Sequence, residues 1–335
     1  MNSKERLDAF VQGKTTDRRP NLTIVGSFVT QYNDIDIETY CKDYKKMLEA
    51  SILCTRDVGI DYVQIASDLL REAEGFGSTV EYYPDRLPTL KKPAVDSIEE
   101  AAELKPIKTK NIPRMYDLVL ATKEAIEQVD DVYPFTLIVG PVTIAGNTRG
   151  VSPFMKDVVR KPDQSKKFLE VVTETIIDFI DELAAVGAKY IYLADPIASL
   201  ISPKAYADMA IECHEKIYGH MNSLGITGRL HMCGNTEHLL PLTATTGVKI
   251  IDIDTQVNYK KALELVDGKV ILNGNINPVD DVFSSTAEHT YNAIINLSKE
   301  IQDDNNLLMP GCELPTKTPK ENVRAITRAL KAIDS

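Results

Sequence analysis

The apolar residues of the chain fall into two patterns that alternate from one end to the other. In the first, short runs rich in β-branched residues end at Gly, Pro, Asp or Asn, which is typical of buried strands bounded by turns. These runs predict eight strands, at Leu22 to Val25, Tyr62 to Ile65, Phe135 to Val139, Tyr190 to Leu193, Arg229 to Met232, Ile250 to Ile253, Val270 to Leu272 and Leu307 to Met309.

In the second pattern, apolar residues recur every three or four positions over longer stretches, which predicts amphipathic helices. The predicted helices run from Ile37 to Val58, Arg114 to Val129, Pro162 to Val186, Pro203 to Leu224, Asn258 to Val266 and Glu288 to Ile301, with a last helix after Thr318. Strands that alternate with helices in this way predict an α/β fold, a (β/α)8 TIM barrel, with an open doubly wound sheet as the main alternative.

The residues that follow the predicted strands favour the barrel. The carboxyl ends of all eight barrel strands form one face, which carries the active site in enzymes of this fold. Here polar residues and turn glycines follow the strands: Ser27, Asp68, Gly140, Asp195, His231, Cys233, Asp252, Asp254, Asn273, Asn275 and Cys312. We therefore expect one barrel domain over residues 1–335, with its chemistry at this face.

One stretch, at about residues 74–113, breaks the alternation. It contains two glycines around Phe76, a predicted strand pair near Thr79 to Tyr83, and a polar helix from Ser97 to Glu103. Because it follows the second strand at the active-site face, we expect a lid-like insertion. Packing without a functional role is the alternative.

Composition and charge narrow the class of protein. The chain has 335 residues, a net charge of −11 and a pI near 5.1, which argues against binding to nucleic acid or to an anionic membrane surface. Its five cysteines form no disulfide framework, and no run approaches a membrane span. The N-terminal residues lack the apolar core of a signal peptide, so the expected location is the cytoplasm.

The clearest candidate chemistry lies in the stretch from Gly228 to Asn235. His231 and Cys233 are two positions apart where an apolar strand ends, so both side chains face the same side. Cys312 follows another short apolar run, and the fold could bring it to the same place. One His and two Cys predict a zinc site with three protein ligands, which leaves a position for substrate. Buried cysteines that act as small apolar residues, and a core histidine, are the alternatives.

Other motifs give weaker signals. The stretch from Gly140 to Gly150 lacks the spacing of a phosphate-binding loop and is interpreted as a loop that lines the active-site mouth. His214 and its neighbours lie within a helix and point in different directions, so they cannot share a metal. No GxSxG sequence supports a serine hydrolase. We expect Asp195, Asp252 or Asn275 to orient His231 or the substrate.

At this point the motifs resemble those of a known family. The stretches from His231 to Asn235, from Gly274 to Pro278 and from Pro310 to Pro315, with the opening residues 3–20, are similar to the uroporphyrinogen decarboxylase superfamily. Within it they resemble the zinc-dependent methylcobamide:coenzyme M methyltransferases. The resemblance implies that His231, Cys233 and Cys312 hold zinc, and that a separate protein supplies a corrinoid. We place Gly140, Asn235 and Gly274 among the residues that contact the corrinoid.

The resemblance implies an enzyme that moves a methyl group between a corrinoid and a small thiol such as coenzyme M. A neutral His and two thiolates leave a formally neutral zinc site, which keeps a bound substrate thiolate nucleophilic. The alternatives are a demethylase that passes methyl from an ether, amine or thioether to cob(I)alamin, and a zinc hydrolase or lyase. A non-catalytic, zinc-stabilised barrel is a further alternative.

Two departures from the family pattern bear on the substrate. The stretch after the first predicted strand has no arginine to grip porphyrin carboxylates, which disfavours uroporphyrinogen decarboxylation. Glu313 follows Cys312 where relatives more often have glycine, and it is expected to alter the surroundings of the open zinc position.

Overall fold

The computed structural model describes residues 1–334 and has an α/β fold. Its strands in chain order are β1 (Tyr62–Ile65), β2 (Thr79–Glu81), β3 (Thr89–Lys92), β4 (Tyr133–Val139), β5 (Tyr190–Ala194), β6 (Thr227–His231), β7 (Ile250–Asp252), β8 (Ile271–Ile276) and β9 (Leu307–Pro310). Seven of them form one parallel sheet in the order β1-β4-β5-β6-β7-β8-β9, curled into a half-barrel. β2 and β3 form a separate antiparallel pair.

The helices that connect and cover these strands were largely predicted. The α-helices are Ser3–Val11, Ile37–Lys42, Tyr44–Val58, Arg71–Gly75, Ile98–Glu103, Pro113–Gln128, Pro141–Arg149, Val151–Arg160, Pro162–Ala185, Pro203–Ala205, Ile211–Ser223, Leu240–Thr243, Tyr259–Val266, Ala287–Ile301 and Lys320–Ile333. Shorter 3₁₀ or π segments are Gly26–Gln31, Thr109–Asn111, Pro196–Leu200, Tyr206–Ala210, Glu237–Leu239 and Pro278–Phe283. No helix in the described part of the chain is long and apolar enough to cross a membrane.

The strand register determines which residues meet at the active-site edge. His231 pairs with Ala194 of β5 on one side and with Asp252 of β7 on the other. Asp252 in turn pairs with Asn273 of β8. These residues therefore form one row across neighbouring strands, near the carboxyl end of the sheet.

The prediction of a regular strand from Leu22 to Val25 was wrong. The segment lies beside β1 and the residues after β9, because Asn21 O accepts from the Asp61 amide (2.9 Å) and Ile24 O accepts from the Leu314 amide (3.0 Å). Val25 has helical backbone angles, and a 3₁₀ helix begins at the next residue. The apolar run is too short to form a ladder before the chain turns.

Three predicted segments differ in detail. The segment predicted as a loop from Gly140 to Gly150 is a helix, Pro141–Arg149. Its first turn is anchored by Asp195, whose Oδ1 accepts from the Thr143 amide. The predicted helix from Ile37 to Val58 is interrupted at Asp43, whose side chain caps the second part. A π-helical turn, Tyr206–Ala210, lies within the helix predicted from Pro203.

Candidate metal centre

Three side chains with soft ligand atoms converge at the end of the sheet. His231 Nε2 lies 3.1 Å from Cys233 Sγ and 3.6 Å from Cys312 Sγ, and the two sulfur atoms are 3.6 Å apart. In a tetrahedral zinc site the bond lengths of about 2.3 Å to sulfur and about 2.0–2.1 Å to nitrogen place ligand atoms about 3.5–3.8 Å apart. The observed triangle has nearly these dimensions.

The local sequence explains how the two cysteines reach this position. His231 ends β6, and Gly234, with φ 83, turns the chain immediately after Cys233. The Gly234 amide donates to Asp254 Oδ2 (2.9 Å), which fixes that turn. Gly311 precedes Cys312, and a side chain there would lie only 2.7 Å from the Thr255 amide nitrogen. Both ligand turns thus depend on glycine.

The ring of His231 is oriented from behind by a buried carboxylate. Its Nδ1 lies 3.2 Å from Asp252 Oδ2, without the alignment of a regular hydrogen bond. Asp252 also accepts from Arg229 Nε (2.8 Å) and from Asn273 Nδ2 (2.7 Å). A carboxylate behind a ligating His is the usual support of a metal-binding imidazole, because it fixes the ring and increases its basicity.

The protonation of the three groups reflects their proximity. The contact with Cys233, and then that with His231, lower the pKa of Cys312 to about 5. The same contact with Cys312, together with burial, raises the pKa of Cys233 well above its ordinary value. Burial lowers the pKa of His231, but Asp252 and Cys312 outweigh it and raise the pKa to about 10. Without a cation, therefore, the cluster holds one thiolate, one thiol and an imidazolium.

The cluster opens onto a cavity of about 470 Å³. Its walls are largely apolar: Ile24, Leu69, Leu70, Leu87, Pro88, Leu90, Leu137, Tyr192, Ala194, Pro196 and Ile197. The rest of the lining consists of the small residues Gly26 and Ala66, the neutral polar residues Tyr40, Gln64, Ser67, Thr89, Thr143 and Asn147, and the acidic residues Asp68 and Glu313. A small, mostly apolar molecule therefore fits beside the three ligands.

Glu313, the residue after Cys312, also lines this cavity. Its Oε1 accepts from the Ser27 amide (2.8 Å) and from Ser27 Oγ (3.1 Å). A Cβ at Gly26 would lie 1.9 Å from the Glu313 carboxylate, so the carboxylate occupies the space that a side chain at position 26 would fill. Burial raises the pKa of Glu313.

The other candidate residues are placed differently. Asp252 contacts His231, whereas Asp195 is fully buried and accepts from the Thr143 amide (2.7 Å), from Thr143 Oγ1 (2.7 Å) and from His214 Nε2 (3.1 Å). These contacts anchor the helix Pro141–Arg149, and Asp195 does not line the cavity. Asn275 Nδ2 donates to Val257 O (2.6 Å) and so holds a loop.

The residues predicted to contact a corrinoid, Gly140, Asn235 and Gly274, do not line the cavity. Gly140 packs against Asp195, because a Cβ there would lie 2.3 Å from Asp195 Cβ. Gly274 packs against the Ile253 carbonyl, because a Cβ at position 274 would lie 2.4 Å from the Ile253 oxygen. Asn235 is exposed, and its Oδ1 accepts from the Glu237 amide (3.2 Å). Their role stays a prediction.

Sequence reasoning missed Arg229 and Gln64 as contributors to this site, and it did not connect Ser27 with Glu313. Arg229 holds Asp252, Ser27 holds Glu313, and Gln64 Oε1 accepts from the amides of Val25 (3.2 Å) and Gly26 (3.1 Å). An arginine and a glutamine inside otherwise apolar strands were the available signal, because a buried polar side chain needs a partner.

The chain is similar to one protein family and to several named methyltransferases over nearly its whole length. The family model described as uroporphyrinogen decarboxylase (URO-D) matches residues 2–333. Relatives include a methylated-thiol–coenzyme M methyltransferase of Methanosarcina mazei, 26% identical over 99% of this chain and 89% of the relative. Another is the methylcobamide:CoM methyltransferase MtbA of Methanosarcina acetivorans, 26% identical over 98% of this chain and 97% of the relative.

Solved structures share the fold. A methyltransferase from Methanosarcina mazei superimposes with a TM-score of 0.85 over 100% of both chains, at 22% identity. A B12-independent methionine synthase from Shewanella sp. W3-18-1 gives a TM-score of 0.60 over 87% of each chain, at 17% identity.

Proposed function

The chain belongs to the uroporphyrinogen decarboxylase family, and from this premise we propose that it is a zinc-dependent methyltransferase acting between a corrinoid and a small thiol. Its relatives with nearly full-length matches bear the names of methylcobamide:CoM methyltransferases. Coenzyme M is the thiol in those names. The single observation that carries the proposal is the triangle of His231, Cys233 and Cys312 beside the cavity.

The residues present fit zinc in number, chemistry and spacing. Two thiolates and one imidazole are ligands that Zn²⁺ prefers, and three of them leave the fourth tetrahedral position towards a substrate. Zinc bound there would supply a Lewis acid that keeps a substrate thiol deprotonated at neutral pH. Asp252 would hold the His231 ring in its ligating orientation.

The proposed transfer is an in-line displacement. A carbon–sulfur bond forms, the cobalt–carbon bond breaks, its electron pair stays on cobalt, and the thiol proton passes to solvent. The contribution of the chain is to position the sulfur and exclude water, because ordered reactants in a closed apolar cavity react faster than free ones. The walls around Leu90, Leu137 and Ile197 serve this purpose.

We further propose that a separate corrinoid protein docks at the cavity mouth, and that the chain forms a closed (β/α)8 barrel. The segment from Asn21 to Val25 takes the place of the missing strand, since it contacts both β1 and the residues after β9. The β2–β3 hairpin acts as the lid, because Leu87 to Leu90 line the cavity.

The demethylase that passes a methyl group to cob(I)alamin is the second candidate. The apolar cavity supports it, because an ether, amine or thioether would fit there as well as a thiol does. Uroporphyrinogen decarboxylation is disfavoured, because the described residues that line the cavity include no arginine or lysine for the porphyrin carboxylates.

The proposal is tested with methylcobalamin, a panel of thiols and a panel of methyl ethers and amines. Demethylation of methylcobalamin by a thiol supports the first function, and methylation of cob(I)alamin supports the second. Cys312→Ala should lose zinc and activity together. Cys213→Ala is the matched control, because Cys213 is a buried cysteine away from the cluster, and it should keep both.

A further inference from the structure

Apart from the three proposed metal ligands, the charged side chains that line the cavity are acidic. Asp68 and Glu313 line it, and no lysine or arginine does so anywhere in residues 1–334. The other polar lining residues are neutral. The balance of charge in the cavity therefore depends on whether cations behind the wall compensate the two carboxylates.

Asp68 is compensated. Its Oδ2 is in close contact with Arg114 Nη2, and its Oδ1 accepts from the Leu70 amide (2.9 Å). The other terminal nitrogen of Arg114, Nη1, pairs with Glu74 Oε2 (2.7 Å). Arg114 is thus shared between two carboxylates and has no charge left to offer a ligand.

The second arginine near the cavity is also committed. Arg71 is fully buried, and its Nη2 pairs with Glu72 Oε1 (2.9 Å) and donates to Leu137 O (3.1 Å). Its Nη1 donates to Ser67 Oγ (2.8 Å). The charge of this arginine is balanced by Glu72, behind the cavity wall.

Glu313 differs from Asp68 because it has no ion-pair partner among the described residues. Its partners are the uncharged Ser27 amide and hydroxyl, both on Oε1. It follows Cys312 directly and lines the cavity beside the proposed zinc ligands. A substrate tail in the cavity would meet this carboxylate without any compensating cation.

We propose that Glu313 makes the site select a co-substrate without an anionic group, either a neutral or a cationic thiol or methyl donor. A sulfonate or carboxylate that entered would lose its hydration, gain no cationic partner, and meet the acidic side chain of Glu313 in its place. An apolar chain with a hydroxyl or amine avoids these costs, because the walls are apolar and Glu313 is a hydrogen-bond acceptor. The inference rests on the proposed function and names the substrate class of the same site.

The test compares two thiols of equal chain length, 2-mercaptoethanol and its sulfonated counterpart, coenzyme M. Their affinities for the zinc-loaded chain are measured by calorimetry, and their kcat/KM values with methylcobalamin as methyl donor. An anion that leaves water for an apolar cavity without a cationic partner is strongly disfavoured, so the neutral thiol should be favoured by at least about tenfold in both measurements. Glu313→Gln should reduce this preference by at least about fivefold.

Glu237→Gln is the matched control. Glu237 follows the loop of the other cysteine, Cys233, but pairs with Lys261 and does not line the cavity, so the preference should be unchanged in this variant. A wild-type chain that binds and uses coenzyme M as well as the neutral thiol would overturn the inference, as would an unchanged preference in Glu313→Gln. If that variant fails to fold, the wild-type preference and Glu313→Asp still decide. Absence of methyl transfer with every thiol, ether and amine would instead reject the proposed function.

Discussion

His231 Nδ1 lies 3.2 Å from Asp252 Oδ2, while Nε2 of the same ring faces the two cysteine sulfurs. Nδ1 thus contacts the carboxylate that orients the ring, and Nε2 is free to bind the proposed metal. Asp252 is itself fixed by Arg229, which is buried and also donates to Leu22 O (3.0 Å). This chain of contacts connects the ligand to the core of the fold.

We therefore expect Asp252→Asn to weaken zinc binding by about 10–100-fold, as for other residues that support a metal-bound His. The fold should be less stable as well, because Arg229 would lose its buried counter-charge. Competition with a chelator measures the affinity. Asp157→Asn serves for comparison, because Asp157 is a buried carboxylate that pairs with Arg149 away from the cluster. Equal zinc affinity in the wild type and Asp252→Asn would contradict the support role.

Zinc binding should release about two protons at pH 7. The metal-free cluster holds a proton on His231, whose pKa is raised to about 10, and one on Cys233, whose pKa is also raised. Cys312, with its pKa lowered to about 5, is already a thiolate at this pH. Ligands must lose their protons to bind, so zinc affinity should rise with pH between about 5 and 10.

Calorimetry in buffers of different ionisation enthalpy counts these protons. Asp252→Asn should reduce the number by about one, because it removes a partner that stabilises the imidazolium. Cys213→Ser, a change outside the cluster, should leave the number as it is. Release of no proton by the wild type would show that the cluster is not organised as described.

The sequence was sufficient for seven strands and for the convergence of His231 and Cys233, because both depend on local patterns. Each predicted strand in the parallel sheet lies within a few residues of its observed position, from Tyr62–Ile65 to Leu307–Pro310. His231 and Cys233 share a strand end, so their convergence follows from period two. That the structure brings Cys312 to them depends on the parallel order of β6 to β9.

The parts that were missed depend on partners distant in sequence. The helix Pro141–Arg149 looked like a loop because its N-terminus is stabilised by Asp195, 52 residues away from Thr143. The position of Glu313 depends on Ser27, 286 residues away. No local window contains both members of such a pair, so neither contact could be predicted from pattern alone.

The order of the β2–β3 hairpin, which we propose as the lid, should depend on Arg114. This arginine contacts Asp68 at the cavity and Glu74 at the start of the insertion, and Glu74 also accepts from Tyr82 OH (2.9 Å). In Arg114→Ala we expect faster amide exchange in β2 and β3 and a raised KM. Arg86→Ala is the control, because Arg86 is exposed, stacks on Tyr83 in the same hairpin and pairs with Asp85, whereas the ion pairs to Asp68 and Glu74 belong to Arg114. Unchanged exchange in Arg114→Ala would show that the hairpin is held by other contacts.

Gly26 and Glu313 should be coupled in a double-mutant cycle. Gly26 has φ 47, and an added Cβ would lie 1.9 Å from the Glu313 carboxylate. Gly26→Ala should therefore destabilise the fold both by backbone strain, about 1–3 kcal/mol, and by displacing Glu313. Glu313→Ala removes the clash but not the strain, so the double variant should be more stable than the sum of the single changes allows.

Chemical denaturation of the four chains gives this interaction energy. Gly13→Ala provides the reference for strain alone, because Gly13 has φ 67 and nothing within 4 Å of an added Cβ. If steric contact dominates, Gly26→Ala should cost more than Gly13→Ala, and the difference should vanish when Glu313 is also Ala. Strict additivity of the two changes would mean that Glu313 can leave its place without cost, and the carboxylate would then not be fixed at the cavity wall.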